Sequence, residues 1–122
     1  MPIYVGVDIV EIARVERALA RFGERFLQRV YTDEERRRYA GAPAELAARF
    51  AGKEAVSKVL GTGFAGVSWR EIEILNDTRG KPIVRLLGRA EARAAQLGIQ
   101  QVEISLSHSR AYAVAFAVGY DR

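Results

Sequence analysis

The sequence predicts an α+β fold in which adjacent strands pair antiparallel. Three observations carry that expectation. The apolar pattern runs in the order strand, helices, strand pair, helix, strand pair, without the regular strand–helix alternation of a parallel sheet. Each strand pair is joined by a short, turn-rich connection, Asn76 to Pro82 in one case and the residues around Ser109-Arg110 in the other. Between the first strand and the first pair, the periodicity is helical.

Each element has its own signal. Ile3 to Val10 is rich in β-branched residues and reads as a strand, with Gly6 and Asp8 on one side. Ile12, Val15, Leu19 and Phe22 recur at helical spacing and form the apolar face of a first helix. Arg14, Arg17, Arg21 and Arg25 line the opposite stripe. Thr32 and Glu35 have capping-box spacing and open a short helix that Gly41 closes. Pro43 suits the first turn of a long helix reaching Leu60, where Gly61-Thr62-Gly63 stops it. Strands follow at Arg70 to Leu75 and Ile83 to Leu87. Arg89 to Leu97 is a helix with Ala90, Ala94 and Leu97 inward, ended by Gly98. The last pair is Val102 to Ser107 and Tyr112 to Gly119. The final strand is apolar on both faces, which predicts burial inside the core or between subunits.

Composition bounds the function. A chain of 122 residues suits one domain, residues 1–122, large enough for a real core. With no cysteine, disulfides, thiolate metal sites and cysteine nucleophiles are excluded. No apolar run has the length of a membrane helix, and the start lacks a signal-peptide pattern, so the expected setting is cytoplasmic. The net charge of +4 favours anionic partners without choosing among them.

Two constellations stand out chemically. Asp8 is an acid within an apolar strand, costly to bury unless paired or bound to a cation; the alternative is a solvated strand-end acid or a cap on the helix beginning near Glu11. Gly6, on the same face, leaves room for close approach. In Arg49-Phe50-Ala51-Gly52-Lys53-Glu54-Ala55-Val56-Ser57-Lys58, helical spacing puts Phe50, Glu54 and Lys58 on one row and Arg49 and Lys53 on the next. The plain alternative is a surface pair worth about 0.2–0.5 kcal/mol. Gly52 costs ~1 kcal/mol in a helix interior and points to close packing or ligand approach. Together Asp8 and Glu54 make the sparse carboxylate site that Mg²⁺ prefers, its other oxygens coming from water and substrate phosphates. Arg49, Lys53 and Lys58 are then candidates to meet those phosphates. His108 is the only histidine and stands at a strand end; it projects away from Ser105 and Ser107, so a serine–histidine nucleophile pair is not expected.

These segments resemble the holo-[acyl-carrier-protein] synthase family of 4'-phosphopantetheinyl transferases. The resemblance is carried by VGVDIVEIARVE from Val5, RVYTDEE from Arg29, ARFAGKEAVSKVLGTG from Ala48 and SLSHSRAYAVAFAV from Ser105. It implies a mostly antiparallel sheet packed against a long helix, in a chain that assembles as a trimer with active sites between subunits. It implies transfer of 4'-phosphopantetheine from coenzyme A to a serine of apo acyl carrier protein, in fatty acid biosynthesis. It places Mg²⁺ on Asp8 and Glu54. It makes Glu54, Lys58 and His108 catalytic, and puts Arg49, Lys53, Lys58, Gly61, Thr62 and His108 around coenzyme A. Arg14 and Arg21 become the docking residues for the acidic carrier protein. Gly52 departs from the alanine usual in relatives, and Val10 offers no third carboxylate. The alternative from another class is a small basic nucleic-acid-binding module, suggested by the arginine-rich helix and a sequence pI of about 9.8. The final strands lack the aromatic platform of a single-strand binder, and the resemblance implies neither nucleic acid nor membrane as partner.

Overall fold

A computed structural model describes residues 2–122. β1 (Ile3–Glu11) leads directly into α1 (Ile12–Phe22). There the chain departs from expectation: Gly23 takes a left-handed φ of 55°, breaks the helix, and starts a separate α2 (Glu24–Val30). Arg25, expected on the first helix, therefore lies on the second. Phe22, expected inside, is 44 % exposed at the break. α3 (Asp33–Tyr39) carries the expected capping box, with both Thr32 and Glu35 bonds made. α4 (Pro43–Leu60) begins on its proline and ends on Gly61 at a φ of 73°. A short 3₁₀ turn at Trp69–Glu71 precedes β2 (Ile72–Asn76). β3 (Pro82–Leu86), α5 (Gly88–Leu97), β4 (Gln101–His108) and β5 (Tyr112–Tyr120) complete the chain.

The strands form two antiparallel sheets, one ordered β1-β5-β4 and the other β2-β3. α4 is the central axis, buried nearly all round, and packs on both sheets. The alanines of β5, Ala113, Ala115 and Ala117, are fully buried because their small side chains let α4 lie close to the strand. Two glycines set how close. A Cβ on Gly6 would run into the carbonyl oxygen of Ala55. A Cβ on Gly52 would meet Ile74 Cδ1 at 2.6 Å. Gly52 thus serves packing, and Gly6 admits the helix backbone rather than a ligand.

The other face of the three-stranded sheet is bare. Ile3, Val5, Val7 and Ile9 are each more than half exposed, at 53 % or above, and Tyr112 and Phe116 nearly half. The register sets Val7 opposite Phe116 and Val5 opposite Val118, so these side chains form one continuous apolar surface.

Candidate active site

The two acids singled out by sequence converge where β1 crosses α4. Asp8 sits on the α4-facing side of β1, opposite Ala115 of β5, with its side chain 18 % exposed. Gly6 permits the helix to approach at this point, which brings Lys58 onto the strand. Lys58 Nζ donates to the carbonyl oxygen of Val7 at 2.8 Å and lies 3.5 Å from Asp8 Oδ1. Glu54, one turn earlier on α4, is half-buried. Burial raises its proton affinity above the ordinary carboxylate value, and the Asp8 charge raises it further; Arg14 and Lys58 oppose both effects. β1, α1 and α4 thus deliver two carboxylates and two cations to one locality.

Among the described residues there is no cluster of three or more histidine, cysteine or acidic side chains able to hold a metal ion. A pair of carboxylates, one mostly shielded and the other with its charge disfavoured, fits a hard cation that completes its shell with water and substrate oxygens. It does not fit an all-protein metal cage.

The remaining sequence candidates divide. Gly61 and Thr62 follow Lys58 at the end of α4, but their N–H groups donate to Lys58 and Ser57 carbonyls and cap the helix. Thr62 Oγ1 donates to the Gly63 carbonyl oxygen at 2.8 Å. His108 is exposed at the end of β4, opposite Ala113. β5 lies between it and β1, so within one chain it is about 10 Å or more from Asp8, two strand spacings across the sheet. Arg14 and Arg21 are both exposed on α1.

Arg49 and Lys53 are corrected. Their spacing places them on a helix row facing the interior, away from Asp8. Arg49 is 1 % exposed, stacks on Tyr39 at 3.8 Å, and donates to the Ile74 carbonyl, Glu45 and Asn76. Lys53 is fully buried, 2.7 Å from Glu35 Oε1, and donates to the Trp69 and Ile72 carbonyls at 2.9 and 2.6 Å. Every direction available to the Lys53 ammonium is taken, so neither residue meets a phosphate from this position. Together they fasten α4 to α3 and β2.

One feature of the site has no counterpart among the sequence expectations. α1, α2, α4 and the 3₁₀ turn enclose an open cavity of about 440 Å³ whose walls include Arg14, Phe22, Arg25, Arg29, Phe50 and Trp69. Arg14 lies over the Phe50 ring at 5.5 Å, and Arg21 and Arg25 lie over Phe22 at 5.2 and 5.9 Å. The floor is apolar and the rim cationic. The signal in the sequence was Phe22, an aromatic followed at once by a glycine.

Fold and site define an α+β protein with paired carboxylates and a lysine at a strand–helix crossing, beside an arginine-rimmed apolar cavity. The chain belongs to the 4'-phosphopantetheinyl transferase superfamily, whose family model matches residues 4–117. It is 50 % identical over 121 residues to the holo-[acyl-carrier-protein] synthase of Herpetosiphon aurantiacus, covering 93 % of this chain and 95 % of that protein. Its structure is similar to that of the Helicobacter pylori holo-[acyl-carrier-protein] synthase in complex with coenzyme A, with a TM-score of 0.87, 32 % identity, and coverage of 95 % and 99 % of the two chains. The Neisseria meningitidis holo-[acyl-carrier-protein] synthase gives a TM-score of 0.86 at 36 % identity, covering 97 % of this chain and 98 % of that one.

Proposed function

We propose that this protein is an enzyme that transfers 4'-phosphopantetheine from coenzyme A to a serine of an apo acyl carrier protein, with Mg²⁺ as cofactor. The observation that carries the proposal is the meeting of Asp8, Glu54, Lys58 and Arg14 at one point, in a chain half identical to a holo-[acyl-carrier-protein] synthase over nearly its whole length. The serine Oγ attacks the phosphorus that bears pantetheine. A new O–P bond forms, the bridging P–O bond of the pyrophosphate breaks, and its electron pair leaves with adenosine 3',5'-bisphosphate. Such transfer needs positioning and charge neutralisation more than covalent help from the protein.

Asp8 and Glu54 are the residues suited to hold Mg²⁺, which when bound supplies charge neutralisation and orientation to the pyrophosphate oxygens. Lys58, fixed by the Val7 carbonyl, sets its ammonium beside Asp8 to offset charge on the leaving phosphate. Glu54, half-buried beside Asp8 and Lys58, is the carboxylate we assign to accept the serine proton. We place His108, Gly61 and Thr62 on the coenzyme A side, His108 through its imidazole and the other two through the shape of the loop. Arg49 and Lys53 take no part in this site.

The arginine-rimmed cavity supports docking of an acidic carrier protein. Arg14 and Arg21 steer the encounter, and an apolar side chain of the partner enters between Phe22 and Phe50. We further propose that the bare face of the three-stranded sheet is covered by copies of the same chain in a homotrimer. This is the burial between subunits that the two-faced apolar final strand predicts. No helix among the described residues is long and apolar enough to cross a membrane. The cysteine-free chain suits a reducing compartment, so we place the reaction in the cytoplasm, in fatty acid biosynthesis. The nucleic-acid alternative is set aside, because the arginines ring an apolar hollow instead of lining a backbone track.

Single substitutions Asp8→Ala and Glu54→Ala test the assignment. Each is expected to abolish transfer while leaving the far-ultraviolet circular dichroism and thermal midpoint close to the parent values. Near-parental turnover in either variant contradicts the metal and base assignments.

A further inference from the structure

Trp69, the only tryptophan, belongs to two regions at once. The Phe64 ring stacks on it with centroids 3.8 Å apart and planes 15° from parallel. Phe50 stacks on it as well, at 4.7 Å and 28°, and continues to Phe26 at 6.3 Å. Trp69, Phe50 and Phe26 line the arginine-rimmed cavity, whereas Phe64 does not. Phe64 lies in the segment of residues 61–66 that follows Lys58. This segment is loosely specified by its own chemistry. Gly61 and Gly63 have left-handed φ values of 73° and 55°, and Gly66 is a third glycine. Phe64 is its one large side chain, and it is partly buried against the core. The stack on Trp69 is therefore the main packing contact that holds the segment down.

We propose that Trp69 is a positioning residue that couples carrier-protein docking to coenzyme A binding. The inference rests on the reading above, which puts the carrier protein at the cavity and coenzyme A along the end of α4. A partner side chain seated against Trp69 and Phe50 restricts the indole ring. The restricted indole restricts Phe64, and Phe64 restricts residues 61–66. Coenzyme A then meets a segment already ordered and loses less conformational entropy on binding. By linkage, coenzyme A tightens the carrier protein by the same factor.

The test uses the full chain with Mg²⁺, coenzyme A, and an apo acyl carrier protein whose acceptor serine is replaced by alanine, so that no turnover occurs. Titration calorimetry gives each affinity alone and in the presence of the other ligand, and Trp69 fluorescence follows the stack. The expected result is mutual tightening of at least about fivefold. Phe64→Ala should leave carrier-protein affinity without coenzyme A within about twofold and bring the tightening close to one. Trp69→Phe, which keeps an aromatic ring in place, should retain part of it. Binding of both ligands to the parent protein without mutual tightening overturns the coupling and leaves the function standing. Undiminished tightening in Phe64→Ala also overturns it. A parent protein that binds neither ligand overturns the underlying function, and the coupling with it.

Discussion

Gly6→Ala is the most demanding perturbation of the site, because it adds one methyl group where the backbone of α4 touches β1. The new Cβ falls against the Ala55 carbonyl oxygen and 3.0 Å from both the Ala55 carbonyl carbon and Lys58 Cβ. Ordinary heavy-atom contacts between carbons lie near ~3.5–4.0 Å, so the strand and helix must part by roughly 1 Å. The obstacle is main chain, which cannot turn aside as a rotamer can. Overpacking of this kind costs about 1–3 kcal/mol, and the rigid obstacle puts Gly6 at the upper end. For a domain of this size, ~3 kcal/mol lowers the melting temperature by roughly 9–15 °C. The consequence for function is larger. The displaced contact lies between Asp8 on one element and Glu54 with Lys58 on the other, and a misplacement of ~1 Å in a reacting constellation costs about 10²-fold in rate. Urea denaturation and the rate of phosphopantetheine transfer measure the two effects. Gly52→Ala is the control. Its Cβ meets Ile74, Ile104 and Leu106 at their terminal methyls, at 2.6, 3.2 and 3.3 Å, and these can shift. The strain is offset by ~1 kcal/mol of helix propensity, so stability and rate should stay near parental values. If Gly6→Ala keeps both stability and rate while Gly52→Ala loses them, the proposed geometry of the crossing is wrong.

Three further outcomes follow from the charges. Lys53→Met leaves Glu35 fully buried without its cation and should cost about 3–5 kcal/mol, whereas Lys53→Met combined with Glu35→Met should recover most of it; denaturation midpoints decide. Because the folded state raises the proton affinity of Glu54, the folded protein holds more protons than the unfolded chain above the ordinary carboxylate pKa. Stability without divalent cation therefore falls as pH rises through that window. Glu54→Gln should remove that component of the slope, and Mg²⁺ should stabilise the parent increasingly as pH rises; thermal melts across pH with EDTA or Mg²⁺ would show a flat, metal-independent profile if the pairing is wrong. Arg21→Glu should raise the KM for carrier protein about tenfold or more while coenzyme A affinity without carrier protein stays put, and an unchanged KM would move docking off α1.

The sequence placed most of the fold, because the relevant signals were local. The Thr32–Glu35 box, Pro43 at the head of α4 and Gly61 and Gly98 at helix ends act within one turn of chain, and all four are found where expected. The strand bounds shifted by only one or two residues. The break at Gly23 was missed because apolar spacing continues across it; only a left-handed φ divides α1 from α2. The site was legible in part. Asp8, Glu54 and Lys58 do meet, since alternation on β1 and four-residue spacing on α4 fix their faces once the two elements touch. The same spacing misled for Arg49 and Lys53. Nothing local says that a row of cations faces inward toward Glu35 and the carbonyls of Ile72 and Ile74, 18 to 25 residues away in sequence. The cavity was illegible for the same reason, being assembled from helices that the chain pattern does not place in space.

The most direct test of the account is intact-mass spectrometry of an apo acyl carrier protein incubated with this protein, coenzyme A and Mg²⁺, beside a matched EDTA control. A gain of one phosphopantetheine is expected with Mg²⁺ and none with EDTA. A folded protein that binds coenzyme A yet adds nothing to the carrier protein, or that adds it equally well in EDTA, would contradict the account.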